Sequence, residues 1–177
     1  MGYEVMLDLE TLGTGNRAAI ISVGAVKFDP LRDDLPWRNF KANVSMASAM
    51  RYGDVTPSTL EWWFGQSDVA RLASLESPME LEDALAKFSD FFGPQSLLVW
   101  GNGATFDNVI LRSAYVAVGL EPPWHFRHDR CHRTVRDMFK EVPYVKATLA
   151  HDALSDATAQ AEHLSAIRKL VESRRAP

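Results

Sequence analysis

Apolar and polar positions divide the 177-residue chain into a strand-rich first quarter and a helix-rich remainder. Gly2 to Glu10 reads as a strand, and its run Val5-Met6-Leu7-Asp8-Leu9-Glu10-Thr11 is apolar apart from two acids one residue apart. Ala19 to Phe28 reads as a second strand, because its β-branched Ile20, Ile21, Val23 and Val26 suit a pleated, half-buried surface. Phe40 to Val44 is a third. The glycines and asparagine of Thr11-Leu12-Gly13-Thr14-Gly15-Asn16, and the turn at Asp29-Pro30, make short connections, so three consecutive strands predict an antiparallel meander.

Beyond residue 55 the period changes to that of helices. Thr56-Pro57 opens one with Thr as cap and Pro at the first helical position; it carries Leu60, Trp62, Trp63 and Phe64 and weakens at Gly65. Ser77-Pro78-Met79-Glu80 reads as a capping box before Leu81, Leu85, Phe88 and Phe92, and Gly93-Pro94 stops that helix. Leu97 to Trp100 is a buried-strand run followed by a Gly101-Asn102-Gly103 loop. Phe106, Val109, Ile110, Ala114 and Val118 mark a helix from about Thr105 to Gly119. Trp124 to Asp129 is expected to be the last strand, Arg133 to Val142 a short helix, and Ala153 to Arg175 a long one with Ala157, Ala161, Leu164, Ile167 and Val171 on one side.

With 46% hydrophobic and 24% charged residues, the chain suits one domain over 1–177 with a substantial core. Lys and Arg number 19 against 23 Asp and Glu, a net charge of −4, so bulk electrostatics does not advertise nucleic acid as a partner. Acids that hold divalent cations would nevertheless present a positive site once loaded. The single cysteine, Cys131, excludes an intramolecular disulfide and fits a reducing compartment. No membrane-spanning run or leader is legible, and a cytoplasmic protein is the expectation.

The chemistry sits in the acids. Successive strand residues face opposite sides, so Asp8 and Glu10 share a face about 6.5 to 7 Å apart. If that face is buried, ionised acids need cations or a metal; a strand end meeting water explains them equally well. Asp107 and Asp156 fall in the first turns of helices, where the dipole alone accounts for a carboxylate. His151, five residues before Asp156, lies at the loop-to-helix boundary.

Asp8-Leu9-Glu10-Thr11, then Asn102 to Asp107, then His151 with Asp156 and Ala157 resemble the three signature motifs of the DEDDh 3′-to-5′ exonucleases, a superfamily with an RNase H-like fold. Each motif alone is weak; all three in order, spanning Met6 to Ala157, are fairly specific. Compact size, Leu12-Gly13 and Leu60-Glu61-Trp62-Trp63 are most similar to the small exonuclease VIII-like, exoribonuclease branch. The resemblance implies an α/β fold with a central mixed sheet, an antiparallel meander plus parallel strands, flanked by helices. It implies a two-metal phosphodiesterase that releases nucleoside 5′-monophosphates from the 3′ end of single-stranded or 3′-overhang RNA or DNA.

Two cations, Mg²⁺ or Mn²⁺, suit oxygen ligands and this hydrolysis. By position, Asp8 would bridge both metals, Glu10 and Asp156 would complete one site, and Asp107 would support the other. His151 would be the general base, a task suited to imidazole near neutral pH. Thr11 and Leu12 resemble positions that meet the terminal nucleotide, with core packing an equal account of Leu12. Asn102 would bond the strand near the scissile phosphate or only shape its loop. One of Trp62 and Trp63, with Trp62 preferred, would offer a base-stacking face. Arg127-His128-Asp129-Arg130-Cys131-His132-Arg133 would follow a phosphate backbone or form a solvated loop. A homodimer stays open, as do two rival readings: a non-catalytic RNase H-like module binding nucleic acid or a polymerase, and an RNase H-like endonuclease.

Overall fold

Alternation along the first strand decides which helices cover which side of the sheet. In β1 (Glu4–Thr11), Val5, Leu7 and Leu9 join one apolar cluster while Met6 joins another, so Asp8 and Glu10 continue the Met6 row. The structure, a computed structural model, describes residues 2–94 and 96–175. Its sheet runs β3-β2-β1-β4-β5. β2 (Ile20–Phe28) pairs antiparallel with β1, from Glu4↔Phe28 to Glu10↔Ser22, and with β3 (Arg38–Asn43). β4 (Val99–Gly101) and β5 (Asp129–Cys131) add in parallel. The mixed α/β sheet is the one expected, meander first.

On the Leu7 face lie α1 (Met46–Tyr52), α2 (Pro57–Phe64), α4 (Leu81–Phe92) and α5 (Asp107–Ala117), which supply Ala49, Trp63, Leu85, Phe88, Ile110 and Leu111 to the larger cluster. On the Met6 face lies α7 (Ala153–Ser173), whose Ala157, Ala161 and Leu164 pack on Met6, Val26, Phe28 and Trp100. Full burial of Leu164 is worth about 1.5–3 kcal/mol. Arg168 of α7 also reaches Glu4 of β1 at 2.8 Å, and that carboxylate accepts the Trp100 indole N–H at 2.5 Å.

Two glycines set how closely the helices approach. A Cβ on Gly24 would lie 2.1 Å from the Ala153 carbonyl carbon, so only glycine lets the start of α7 sit on β2. A Cβ on Gly101 would meet Asn108 Oδ1 at 2.4 Å and Asp107 Cβ at 3.0 Å, so the start of α5 seats against β4 for the same reason.

Several expectations change. The last strand is Asp129–Cys131 and not Trp124 to Asp129: Trp124 is a buried anchor whose indole donates to Asp129 Oδ1 at 2.7 Å, and Phe126–His128 form a 3-10 turn. The expected capping box does not cap α4. Ser77 stands at φ 47, Glu80 is the N-cap residue, and Met79 exchanges backbone bonds with Asn43 and Ser45. Helix α1 and α3 (Asp68–Ala73), capped by Ser45 and Ser67, have seven and six residues, too few to display a period in the sequence. α6 (His132–Met138) is shorter than expected. No helix among the described residues is long and apolar enough to cross a membrane.

Candidate catalytic site

At the C-terminal end of β1 the row Met6, Asp8, Glu10 runs out from beneath α7. In register with Asp8 stand Gly24 on β2 and Lys41 on β3, so the start of α7 rests on the glycine between an acid and a lysine. Lys41 pairs with Asp152, the N-cap residue of α7, whose Oδ1 also accepts the Ser155 amide at 3.0 Å. The first turn of α7 thereby presents Asp156 to Glu10. From the other side the first turn of α5 presents Asp107, whose carboxylate accepts the Leu9 amide of β1 at 3.3 Å.

The four predicted acids, Asp8, Glu10, Asp107 and Asp156, are therefore brought together from β1, α5 and α7. Burial raises the proton affinity of all four, and repulsion among them adds to it at Asp8 and Glu10. Loss of solvent, then Asp107 and Glu10, hold Asp8 well above the usual carboxylate range, although Gln160 Nε2 donates to its Oδ1 at 2.8 Å. Burial, then Asp156, Asp152 and Asp107, push Glu10 to about 8 against the opposing charge of Lys41. Burial pushes Asp107 to about 7 despite backbone donors and the Arg133 guanidinium. Burial raises Asp156 as well, though it accepts the His151 amide at 2.9 Å.

His151 is at φ 62, a left-handed conformation that costs a non-glycine residue free energy and clusters at functional sites. Its imidazole stands edge-on to Trp62, ring centroids 4.7 Å apart at 87°. One donor atom each from Glu10, His151 and Asp156 lie within 4.8 Å of one another. Carboxylate oxygens of raised proton affinity, short of counter-charge, are a donor set that fits a hard divalent cation.

The expected substrate residues divide. Trp62 is 44% exposed beside His151, whereas Trp63 is buried and donates its indole N–H to the Thr11 carbonyl at 2.8 Å. Thr11 is buried, its hydroxyl donating to the Gly13 carbonyl at 2.7 Å. Leu12 is part of the core, its amide donating to Ala19 and its carbonyl accepting from Thr56. Asn102 borders Asp107, and its Oδ1 is buried without a partner among the described residues. In the basic segment Arg130 donates to the Arg127 and Asp129 carbonyls and Arg133 to the Asn102 carbonyl, while His132 is buried against His163, Nε2 to Nδ1 3.0 Å.

Sequence reasoning missed Gln160 and the Lys41–Asp152 pair. Gln160 lies four residues after Asp156, on the same helix face, which is a signal available in the sequence. Lys41 has no such signal, because its row depends on strand register.

The sequence matches, over residues 3–168, the family described as the 3′-5′ exoribonuclease Rv2179c-like domain. It is 31% identical over 191 residues to the exodeoxyribonuclease of Enterobacteria phage T4, covering 87% of this chain and 84% of that one. Exonuclease I from Methylocaldum szegediense superposes with a TM-score of 0.65 at 15% identity, over 98% of this chain and 41% of that one. Cell-death related nuclease 4 superposes at 0.55 and 12% identity, over 96% and 64%. An exonuclease I solved with SSB and the inhibitor CFAM superposes at 0.55 and 16% identity, over 98% and 42%. The chain thus spans less than two thirds of each of these structures. Their likeness is one of fold, the RNase H-like α/β arrangement of exonucleases.

Proposed function

We propose that this chain, which belongs to the family of Rv2179c-like 3′-5′ exoribonuclease domains, removes nucleoside 5′-monophosphates from the 3′ end of single-stranded or 3′-overhang RNA or DNA. The reaction class comes with the family: the protein is an enzyme, a 3′-5′ exonuclease. The proposal lies in the substrate, the residues and the metals. The observation that carries it is the meeting of four carboxylates of raised proton affinity with His151 at one end of β1.

Asp8, Glu10, Asp107 and Asp156 would hold two divalent cations, Mg²⁺ or Mn²⁺. When bound, such cations neutralise the acids and offset the negative charge that develops as a phosphodiester is cleaved. The chain's own groups do the rest. His151 takes the proton of the attacking water, and the perpendicular Trp62 ring beside it restricts how the imidazole turns relative to Glu10 and Asp156. Gln160 orients the Asp8 carboxylate, and the Lys41–Asp152 pair holds the turn that carries His151. Asn102 shapes the loop before Asp107, where its backbone carbonyl accepts from Arg133 and its Oδ1 is buried, and its remaining amide group would bond the strand near the scissile phosphate. Trp62 presents its exposed face to a base, and Thr11 and Leu12 shape the end of β1 where the terminal nucleotide would rest.

The family description names RNA and the phage relative's name says DNA, so both belong in the test. The protein is incubated with 5′-labelled single-stranded RNA and DNA in Mg²⁺, Mn²⁺ or EDTA, beside His151→Ala and Asp8→Asn. A metal-dependent ladder shortening from the 3′ end is expected, with kcat about 10²–10⁴-fold lower in His151→Ala and no detectable cleavage in Asp8→Asn. Internal cuts, or full activity in either variant, would overturn the reading.

A further inference from the structure

The helix that follows β5 borders the acids on the side of β4. α6 packs on β4 and on α7, the elements that adjoin Asp107 and carry Asp156. Its anchor is the buried His132, whose Nε2 lies 3.0 Å from Nδ1 of His163. Asp156, Gln160 and His163 recur at helical spacing on α7, so the side of that helix which meets the acids also holds α6. The strand order then separates two flanks. The turn carrying His151 rests toward β2 and β3, at Gly24 and Lys41, whereas α6 stands toward β4 and β5.

Two arginines of α6 lie at this second flank. Arg133 donates to the Asn102 carbonyl at 2.7 Å, and the backbone amide of the same Asn102 helps hold the charge of Asp107. Arg136, three residues on, has its guanidinium carbon 5.6 Å from the Tyr144 ring centroid. Burial first, then the charges of Asp156 and Asp8, raise the proton affinity of that phenol, so Tyr144 stands within the field of the acids. Residues three apart on a helix are neighbours, with about 5–6 Å between Cβ atoms, and the two guanidiniums form one cationic face. Among the described residues Arg133 is exposed and forms no ion pair, and Arg136 meets only Asp137, at 3.9 Å, a pair worth little in water. Lys41, on the other flank, is taken by Asp152.

We infer that Arg133 and Arg136 bind the phosphodiester immediately 5′ to the scissile one. The inference rests on the exonuclease reading above. Trp62 and His151 mark the flank given to the terminal nucleotide, so a strand whose last phosphodiester lies among the acids leaves them on the side of α6. Its next phosphate has no acid-held cation to meet it, and a chain of net charge −4 needs a local counter-charge there. Guanidiniums match phosphate with a planar two-point fork that ammonium lacks. The recognised chemistry is the phosphodiester, shared by RNA and DNA.

The first test compares a dinucleotide, whose single phosphodiester is the scissile one, with a trinucleotide, which adds the next. In Mg²⁺, Arg133→Ala and Arg136→Ala should each raise KM about tenfold for the trinucleotide and leave the dinucleotide unchanged. A neutral methylphosphonate at the inner linkage of the trinucleotide should raise the parent's KM similarly and have no further effect in the double variant. The second test reads binding without catalysis, by anisotropy of a 5′-fluorescein single strand in EDTA across a salt series. One phosphate contact adds about 0.7 to the slope of log Kd against log salt, so the double alanine variant should lose about 0.7. Arg133→Lys with Arg136→Lys should keep the slope, which separates lost charge from a displaced helix. Lys169→Ala, whose lysine pairs with Asp33, should match the parent in both tests.

An unchanged slope in the double alanine variant overturns the inference. So does an equal loss on dinucleotide and trinucleotide, because the arginines then only hold the loop before Asp107. A parent that cuts neither RNA nor DNA overturns the exonuclease reading alone and leaves the phosphate contact to be decided by the slopes in EDTA.

Discussion

Glu10 shows how one side chain can be costly to the fold and useful to the site. Its carboxyl holds a proton up to about pH 8, whereas in the unfolded chain it releases it near its ordinary 4.5. Folded protein therefore binds protons that the unfolded chain has lost, so the stability this group contributes is complete below about pH 4.5 and disappears as pH rises through 8. Asp107, pushed to about 7, acts in the same direction. In EDTA the Tm should fall between pH 5 and pH 8, and Glu10→Gln should raise it at pH 8 by about 4–8 °C, equivalent to about 2 kcal/mol. A flat calorimetric profile in the parent would count against the acidic cluster as drawn. Trp62 makes a second case at this scale. Its ring restricts how the His151 imidazole turns, so Trp62→Ala should lower kcat about tenfold and Trp62→Phe much less, as measured by single-turnover hydrolysis. Equal rates in the two variants would sever Trp62 from the histidine.

Among the elements, α7 carries the most chemistry, and its seat is a single glycine. With the Ala153 carbonyl carbon 2.1 Å from where a Cβ on Gly24 would stand, Gly24→Ala must lift the helix start or bend β2. Overpacking of this kind costs about 1–3 kcal/mol. The displaced turn carries His151 and Asp156, so kcat should fall by a larger factor than the urea midpoint suggests. If Gly24→Ala loses stability but keeps kcat, the seat does not control the site. The strands carrying this arrangement were legible in the sequence, because period-two alternation separates Leu7 from Asp8 and β-branched residues mark β2. The starts of α2, α5 and α7 were legible too, and with them the positions of Asp107 and Asp156. Register was not, since nothing local in Gly24 or Lys41 records that both stand in line with Asp8. The short α1 and α3 were hidden for lack of length, and the false capping box at Ser77 failed because backbone bonds to β3 claimed Met79 first.

At the scale of the whole molecule, the charges are sorted: acids converge at one end of β1, and Arg17, Arg51 and Arg112 line a groove between the loop after β1, the end of α1 and the outer face of α5. A sum over the sequence cancels these two fields to −4, which is why composition argued against a polyanionic partner. The sequence held the site's acids and the family motifs; the groove needed the fold, because Arg17, Arg51 and Arg112 are scattered through one loop and two helices and come to line one groove only after packing. The same distance in sequence has a consequence in time. The hydrogen bond from Gln160 to Asp8 joins residues 152 positions apart, and Asp156 and His151 come from the same late segment. While the chain is being synthesised, β1 to β3 are complete long before α7 leaves the ribosome. The proposed nuclease is thus silent as a nascent chain until α7 has emerged, and its activity begins only when that helix docks.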